Sequence, residues 1–188
     1  VGKMYSGGFN GAGVPAWNGA DAWSVRSDCL VGGDIDNPKA QFPTSQVMVD
    51  GSGTRVWQSI GSADLQIELP VAGVPLTLTI HQARVTAVLA DDNTTATSGI
   101  IGGVLDTEEL VAQLAIVAGT FDPSLCPPSA TFESIAQQIR QASDILADGT
   151  QDPGVTCNGI SIGLGFEAEA ATLGVVFDAP VPPDPCNP

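Results

Sequence analysis

Basic residues are scarce in this sequence: six Lys and Arg face 21 Asp and Glu in 188 residues, a formal net charge of −15. A nucleic-acid partner needs a basic face to neutralise phosphates, and six dispersed cations do not build one. Histidine occurs once, at His81, so a Ser-His-Asp or Cys-His catalytic set would have to use that residue. Its neighbours Thr77, Thr79 and Gln82 are polar, which places it on the outward face of a bending strand, and no nucleophile elbow is expected. Its protonation, between roughly pH 5 and 7.5, would let it tune an interface. Long apolar runs are also missing. Each is short and broken by Gly, Pro or Asp, so no segment is expected to span a bilayer. Apolar content is nevertheless ordinary at 43% and only 14% of residues are charged, which excludes a disordered acidic tail. The length fits one domain, or at most one and a half. The chain opens on Val1 without a basic, apolar leader, which reads as a removed signal segment or an internal start.

Cys-x-x-Cys pairs are absent. Cys29, Cys126, Cys157 and Cys186 are widely spaced and far from the histidine, which argues against structural zinc and attached haem. An even count in a Lys-poor, Gly/Pro-rich chain implies two disulfides and an oxidising compartment. Of three connectivities, Cys126–Cys157 would tie the ends of a helical segment and Cys29–Cys186 would clamp the tails. Each closed loop would contribute about 3–5 kcal/mol on the chain-entropy model.

Residues 1–46 are rich in Gly, Asn, Pro and Trp and read as an irregular or short-stranded segment docked on the body by its aromatics. From Gln46 the pattern is β. Val47 and Val49 alternate, Asp50-Gly51-Ser52-Gly53 turns, and Arg55–Trp57 resumes a strand. Ala63, Leu65, Ile67 and Leu69 share one face, then Val74, Leu76, Leu78 and Ile80 share another. After His81 the apolar positions become Ala83, Val85, Ala87 and Leu89, so a bulge or bend is predicted at His81–Gln82. Ser98–Leu105 reads as a Gly-interrupted apolar link. Two helices follow, at about residues 106–148. The first is capped by Asp106 with Glu109 and stopped by Gly119; the second runs from Ser129 through Leu146 to Gly149. Ile160–Ala168 alternates cleanly, and Leu173, Val175 and Phe177 form its return strand. The tail at 179–188 is Pro-rich and extended. The fold class is therefore mainly β, an antiparallel sheet or sandwich with two α-helices inserted before a C-terminal hairpin.

Several residue groups carry candidate chemistry. Trp17, Trp23 and Trp57 offer stacking surfaces for a ligand such as a carbohydrate. Asp144, Asp148 and Asp152 match positions 1, 5 and 9 of a helix-terminated calcium loop, with Gly149 at position 6. Leu146 and Val155 stand where further ligands belong, so a helix stopped by Asp148-Gly149 is the simpler reading and no cofactor beyond weak calcium is expected. Asp34-Ile35-Asp36-Asn37 and Asp91-Asp92-Asn93 read as turns. Glu167 with Glu169, or Asp64 with Glu68, are the carboxylate pairs an acid hydrolase would use, although each sits on a solvent-facing strand side. Asn93-Thr94-Thr95 is an N-glycosylation sequon. The Gly-rich run SGGFNGAG at 6–13 lacks the Lys and the strand-to-helix setting of a phosphate loop.

The runs HQARVTAVL at 81–89, SGIIGGVL at 98–105 and ISIGLGFEA at 160–168, with an acidic helix start between the last two, resemble uncharacterised secreted or lipoprotein-type proteins of Gram-negative bacteria. The resemblance implies export and carries no site residues. The resulting expectation is a secreted, cell-surface or periplasmic protein, disulfide-stabilised and non-catalytic, acting as a structural or assembly subunit with like or unlike protein partners. The edge it would offer a partner is expected in residues 1–46 or in the Pro-rich tail.

Overall fold

The structure, a computed structural model, describes residues 3–9, 14–30, 45–71, 73–178 and 184–186. Its strands are β1 (Gly7–Phe9), β2 (Ala22–Arg26), β3 (Ser45–Val49), β4 (Arg55–Ser59), β5 (Ala63–Val71), β6 (Val74–Leu89), β7 (Thr95–Asp106), β8 (Gly159–Glu169) and β9 (Thr172–Phe177). Helices α1 (Thr107–Phe121) and α2 (Ala130–Gln141) stand between β7 and β8. The fold is thus mainly β, with the two helices ahead of the last strands. Six strands form one sheet in the order β3-β4-β6-β7-β8, with β5 also paired to β6, and β1-β2-β9 form a second sheet. The expected closing hairpin is absent. β8 and β9 belong to different sheets, and β9 runs parallel to β2. A parallel pair cannot be closed by a short turn, so nothing in the local sequence of β8 and β9 discloses it.

The chain forms two compact units. The first comprises Val1–Ala63, Arg84–Ile101 and Gly163–Pro180; the second comprises Asp64–Ala83, Gly102–Ile162 and Val181–Pro188. Strand β6 contributes to both, and its phase changes between them. Leu76, Leu78 and Ile80 are buried at even positions, and Ala83, Val85 and Ala87 at odd ones. Gln82 makes the change with φ of 52°. A left-handed residue inside a strand adds one position to the pleat and swaps its faces. The bulge therefore lies where the alternation places it.

Strand β7 corrects the reading of Ser98–Leu105 as a link. Its glycines mark close approach instead of a break. A Cβ on Gly103 would lie 2.5 Å from Ile80 Cγ2 and 2.7 Å from the His81 carbonyl. One on Gly99 would lie 2.5 Å from the Phe166 ring. Strand β9 also departs from expectation. Leu173 and Val175 are 58% and 71% exposed, whereas Gly174 packs on the Trp23 backbone. The register with β2 slips by one residue here, from Trp23↔Leu173 to Val25↔Val176, which marks a bulge in β9.

In the second unit Asp106 caps α1 as expected, its carboxylate accepting the Glu108 and Glu109 N–H groups at 2.9 and 3.0 Å. Val111 and Ala115 of α1 pack with Phe132 and Ala136 of α2, and Leu114, Ala118 and Ile139 close the cluster. Arg140 of α2 grips Glu108 of α1 through Nε and Nη2 at 2.6 and 2.8 Å. That bond holds the Glu108 carboxyl below its usual range. Two boundaries differ from the sequence reading. Gly119 does not stop α1, which continues to Phe121 before Asp122-Pro123. Helix α2 ends at Gln141, well before Leu146. Beyond it Asp144 accepts the Ser161 N–H, and the Ala147 N–H donates to Asn158 Oδ1 at 2.9 Å. Ser, Asp and Asn side chains that capture backbone groups in this way favour non-helical conformations.

The disulfide pairing is also corrected: Cys126 joins Cys186, with Cα atoms 5.3 Å apart and a sequence separation of 60. Cys29 and Cys157 keep their thiols, so neither expected bridge is formed. The bridge explains Gly119. A Cβ there would meet Cys186 Sγ at 2.6 Å and Cys126 Sγ at 2.7 Å. Gly119→Ala gains about 1 kcal/mol in helix propensity but loses about 1–3 kcal/mol to overpacking. A net loss is expected in denaturant titration, and it should vanish when both Cys126 and Cys186 are Ala. Reducing the bridge in the wild-type chain should lower stability by about 4 kcal/mol on the loop-entropy model, measured as the midpoint shift with and without reductant.

Candidate functional site

His81 sits at the end of the even-phase part of β6, its side chain 23% exposed. Asp64 of β5 lies 3.2 Å from Nδ1, and Glu109 of α1 lies 3.0 Å from Nε2. Burial alone would pull the imidazole pKa down. The hydrogen bond His81 donates to Glu109 and the two nearby negative charges outweigh it and raise the value above its ordinary 6.5. Both ring nitrogens face carboxylates, so neither is open to accept a proton from a substrate. The histidine therefore links two strands and a helix as an ion-paired clamp. Glu109 also lines a groove of about 260 Å³, together with Thr77, Leu78, Thr79, Leu105 and Leu110.

Asp64 is thus a partner of His81, and Glu68 is exposed further along β5. Glu167 and Glu169 are exposed on β8 and line neither groove described here. The spacing Gly-x-Ser-x-Gly does occur, at Gly159-Ile160-Ser161-Ile162-Gly163, where the sequence reading expected no elbow and overlooked the pattern. A nucleophile elbow requires a sharp strand-to-helix turn. Ser161 instead lies within β8 and donates its hydroxyl to Asp144 at 2.5 Å.

The calcium candidates do not converge. Asp144 serves Ser161, Asp148 accepts the Thr150 N–H and hydroxyl at 2.9 and 2.6 Å, and Asp152 accepts the Gly154 N–H at 2.8 Å. The hydroxyl bonds lower the Asp144 and Asp148 carboxyl pKa values. These are turn-forming bonds, and among the described residues no three His, Cys, Asp or Glu side chains gather as a metal site. Asp92 likewise closes its turn onto Thr94, and Asn93 lies exposed at φ 57°. Asp34–Asn37, residues 10–13 of SGGFNGAG, and residues 179–183 and 187–188 of the tail lie outside the described residues.

In the first unit, Trp17 and Trp23 meet with ring centroids 5.6 Å apart and planes inclined at 44°. Trp17 is 56% exposed and left-handed at φ 54°. Asp21 holds that conformation by accepting the Ala16 and Trp17 N–H groups at 3.0 and 2.7 Å. Trp23, Tyr5 and Leu173 line a groove of about 340 Å³. The inclined rings give no shared flat face for a sugar, and Trp57 is half-buried on β4 in the other sheet.

No protein-family model matches the chain, and no curated protein or solved structure shows significant similarity to it.

The remaining surface of note lies at the sheet edges. Three described edge strands carry devices that deter pairing. β1 has three residues, β5 has Asp64, Glu68 and Pro70, and β8 has Glu167 and Glu169, whereas β9 carries a bulge and no charged residue. β3, with the sequence SQVMV, has none. Its Val47, Met48 and Val49 are 42%, 43% and 67% exposed, and β4 is its one described neighbour. The sequence reading had β3 as a strand but not as an edge, because strand order is a tertiary fact. The available signal was a strand without charge in a chain of net charge −15.

The His81 clamp sets a pH dependence. Its folded pKa is raised, so its contribution is complete below the unfolded value of 6.5 while both carboxylates stay ionised, and it is lost as pH rises through the folded value. Asp64 and Glu109 are 62% and 54% exposed, so solvent screening limits the effect to under about 1 kcal/mol. The thermal midpoint should fall slightly on passing from about pH 6 to pH 8.5, and His81→Gln should flatten that slope.

Proposed function

We infer that this chain is a secreted, disulfide-stabilised, non-catalytic subunit of an extracellular or cell-surface assembly, joined to other protein subunits through its sheet edges. The observation that carries the reading is the exposure of Val47, Met48 and Val49 on β3 and of Leu173 and Val175 on β9. Five large apolar side chains stand in solvent on two edge strands without a charged residue. Burying them against another subunit would recover about 25 cal/mol for each Å² of apolar area removed from water. The acidic surface elsewhere discourages association at other faces. The Cys126–Cys186 bridge fits an oxidising compartment, and His81 is committed to its carboxylate partners. No helix among the described residues is long and apolar enough to cross a membrane.

Sedimentation of the purified chain tests this. A mass above one chain is expected at roughly 100 μM, the range in which small interfaces associate. Val49→Lys combined with Val175→Lys should return it to one chain with an unchanged far-ultraviolet circular dichroism spectrum. A single-chain mass for the wild-type protein throughout that range would overturn the reading.

A further inference from the structure

We propose that Asn93 is an acceptor for an N-linked glycan, presented by the folded β6–β7 hairpin. The inference rests on the export part of the reading above and adds a modification site to it. It starts from the turn between the two strands. The Ala90 N–H donates to the Thr95 carbonyl, and the Asn93 N–H donates to the Ala90 carbonyl, each at 3.0 Å. Asp91, Asp92, Asn93 and Thr94 are all exposed. Asn93 takes the left-handed conformation, at φ 57°, which Asn tolerates better than most residues.

The polar groups around the sequon are committed. The Asp92 carboxylate accepts the Thr94 N–H at 3.0 Å and the Thr94 hydroxyl at 2.8 Å. The Ala170 N–H donates to the Thr94 carbonyl at 2.6 Å, and the Arg55 guanidinium donates to the Asp91 carbonyl at 3.0 Å. The Asn93 carboxamide and the Thr95 hydroxyl, by contrast, have no partner among the described residues. They are the two side chains that define the N-x-[ST] acceptor, and the residue between them is not proline. An Asn in a turn ordinarily closes it by bonding its own backbone. Here Asp92 does that, so the Asn93 carboxamide is left over. The left-handed backbone accounts for an Asn at 93 but not for a hydroxyl at 95.

The position suits a bulky, solvated group. Val49↔Arg55 and Arg55↔Leu89 are register partners, so this turn and the Asp50–Thr54 turn lie at one end of the six-stranded sheet. A glycan there projects from the strand ends and leaves the buried Ala83, Val85 and Ala87 of β6 untouched. The donor is an oligosaccharide carried on a polyprenyl diphosphate. Asn93 Nδ2 attacks its anomeric carbon, forming the C–N bond as the C–O bond to the diphosphate breaks. The diphosphate leaves with the bonding pair, and an Nδ2 proton passes to the transferase.

The test incubates the purified, folded, oxidised full chain with a single-subunit oligosaccharyl transferase and its lipid-linked donor, and reads intact mass. Wild type should gain one oligosaccharide. Asn93→Gly keeps the left-handed position without the acceptor nitrogen and should gain none. Thr95→Ala should slow transfer about tenfold or more, the value of one hydrogen bond in the transition state. Thr95→Ser, which restores the hydroxyl, should recover it. Both Thr95 variants leave the turn residues unchanged, so the proposal stays testable even if Asn93→Gly folds poorly.

A folded wild-type chain that gains no oligosaccharide overturns the proposal, whether or not its denatured form gains one. Equal modification of wild type and Asn93→Gly, or of Thr95→Ala and Thr95→Ser, overturns it as well. Sedimentation of the unmodified chain judges the assembly reading independently, so the two failures are distinguishable.

Discussion

The left-handed turn of the backbone at Gln82 governs how this chain uses its longest strand. A regular strand buries one set of alternate residues, and β6 instead buries Leu76, Leu78 and Ile80 before the bulge and Ala83, Val85 and Ala87 after it. One continuous strand thereby supplies core residues to two compact units. Without the extra position, either the leucines or the valine and alanines would face water. His81, immediately before the bulge, is where the clamp of Asp64 and Glu109 closes. The backbone irregularity and the one histidine are thus parts of the same local arrangement.

What the sequence disclosed follows the reach of each signal. Alternation over many residues located β5, β6 and β8, and the phase change located the bulge at Gln82. The Asp106 cap was legible because its partners lie two and three residues away. Contacts distant in sequence were not legible. The parallel pairing of β9 with β2, the Cys126–Cys186 bridge and the outward face of Leu173 and Val175 all depend on partners that no local pattern names. The second helix was read too long because Leu146 fits its apolar stripe, whereas Asp144 and Asn158 draw that segment toward β8.

Several glycines of this chain mark close packing inside regular elements. Gly119 and the glycines of β7 appeared to interrupt structure, and each lies inside a regular element instead. At Gly119 the absent side chain makes room for two sulfur atoms; at Gly103 it makes room for Ile80 and the backbone beside it. Of the candidate site residues, Trp17 and Trp23 are brought together and Asp64 joins His81. Asp144, Asp148 and Asp152 are dispersed into separate turns.

The parallel contact of β2 with β9 also bears on the order of folding. Ala22 and Thr172 are register partners 150 residues apart. Loop-closure entropy makes such a contact late and slow. The β3–β4 hairpin closes over a few residues and forms on a much shorter timescale. During folding there is consequently an interval in which the hairpin, with Val47, Met48 and Val49 exposed, exists while the three-stranded sheet does not. In that interval the chain is most prone to pair with whatever strand is nearest, so the concentration of newly made chains would decide between productive and errant pairing.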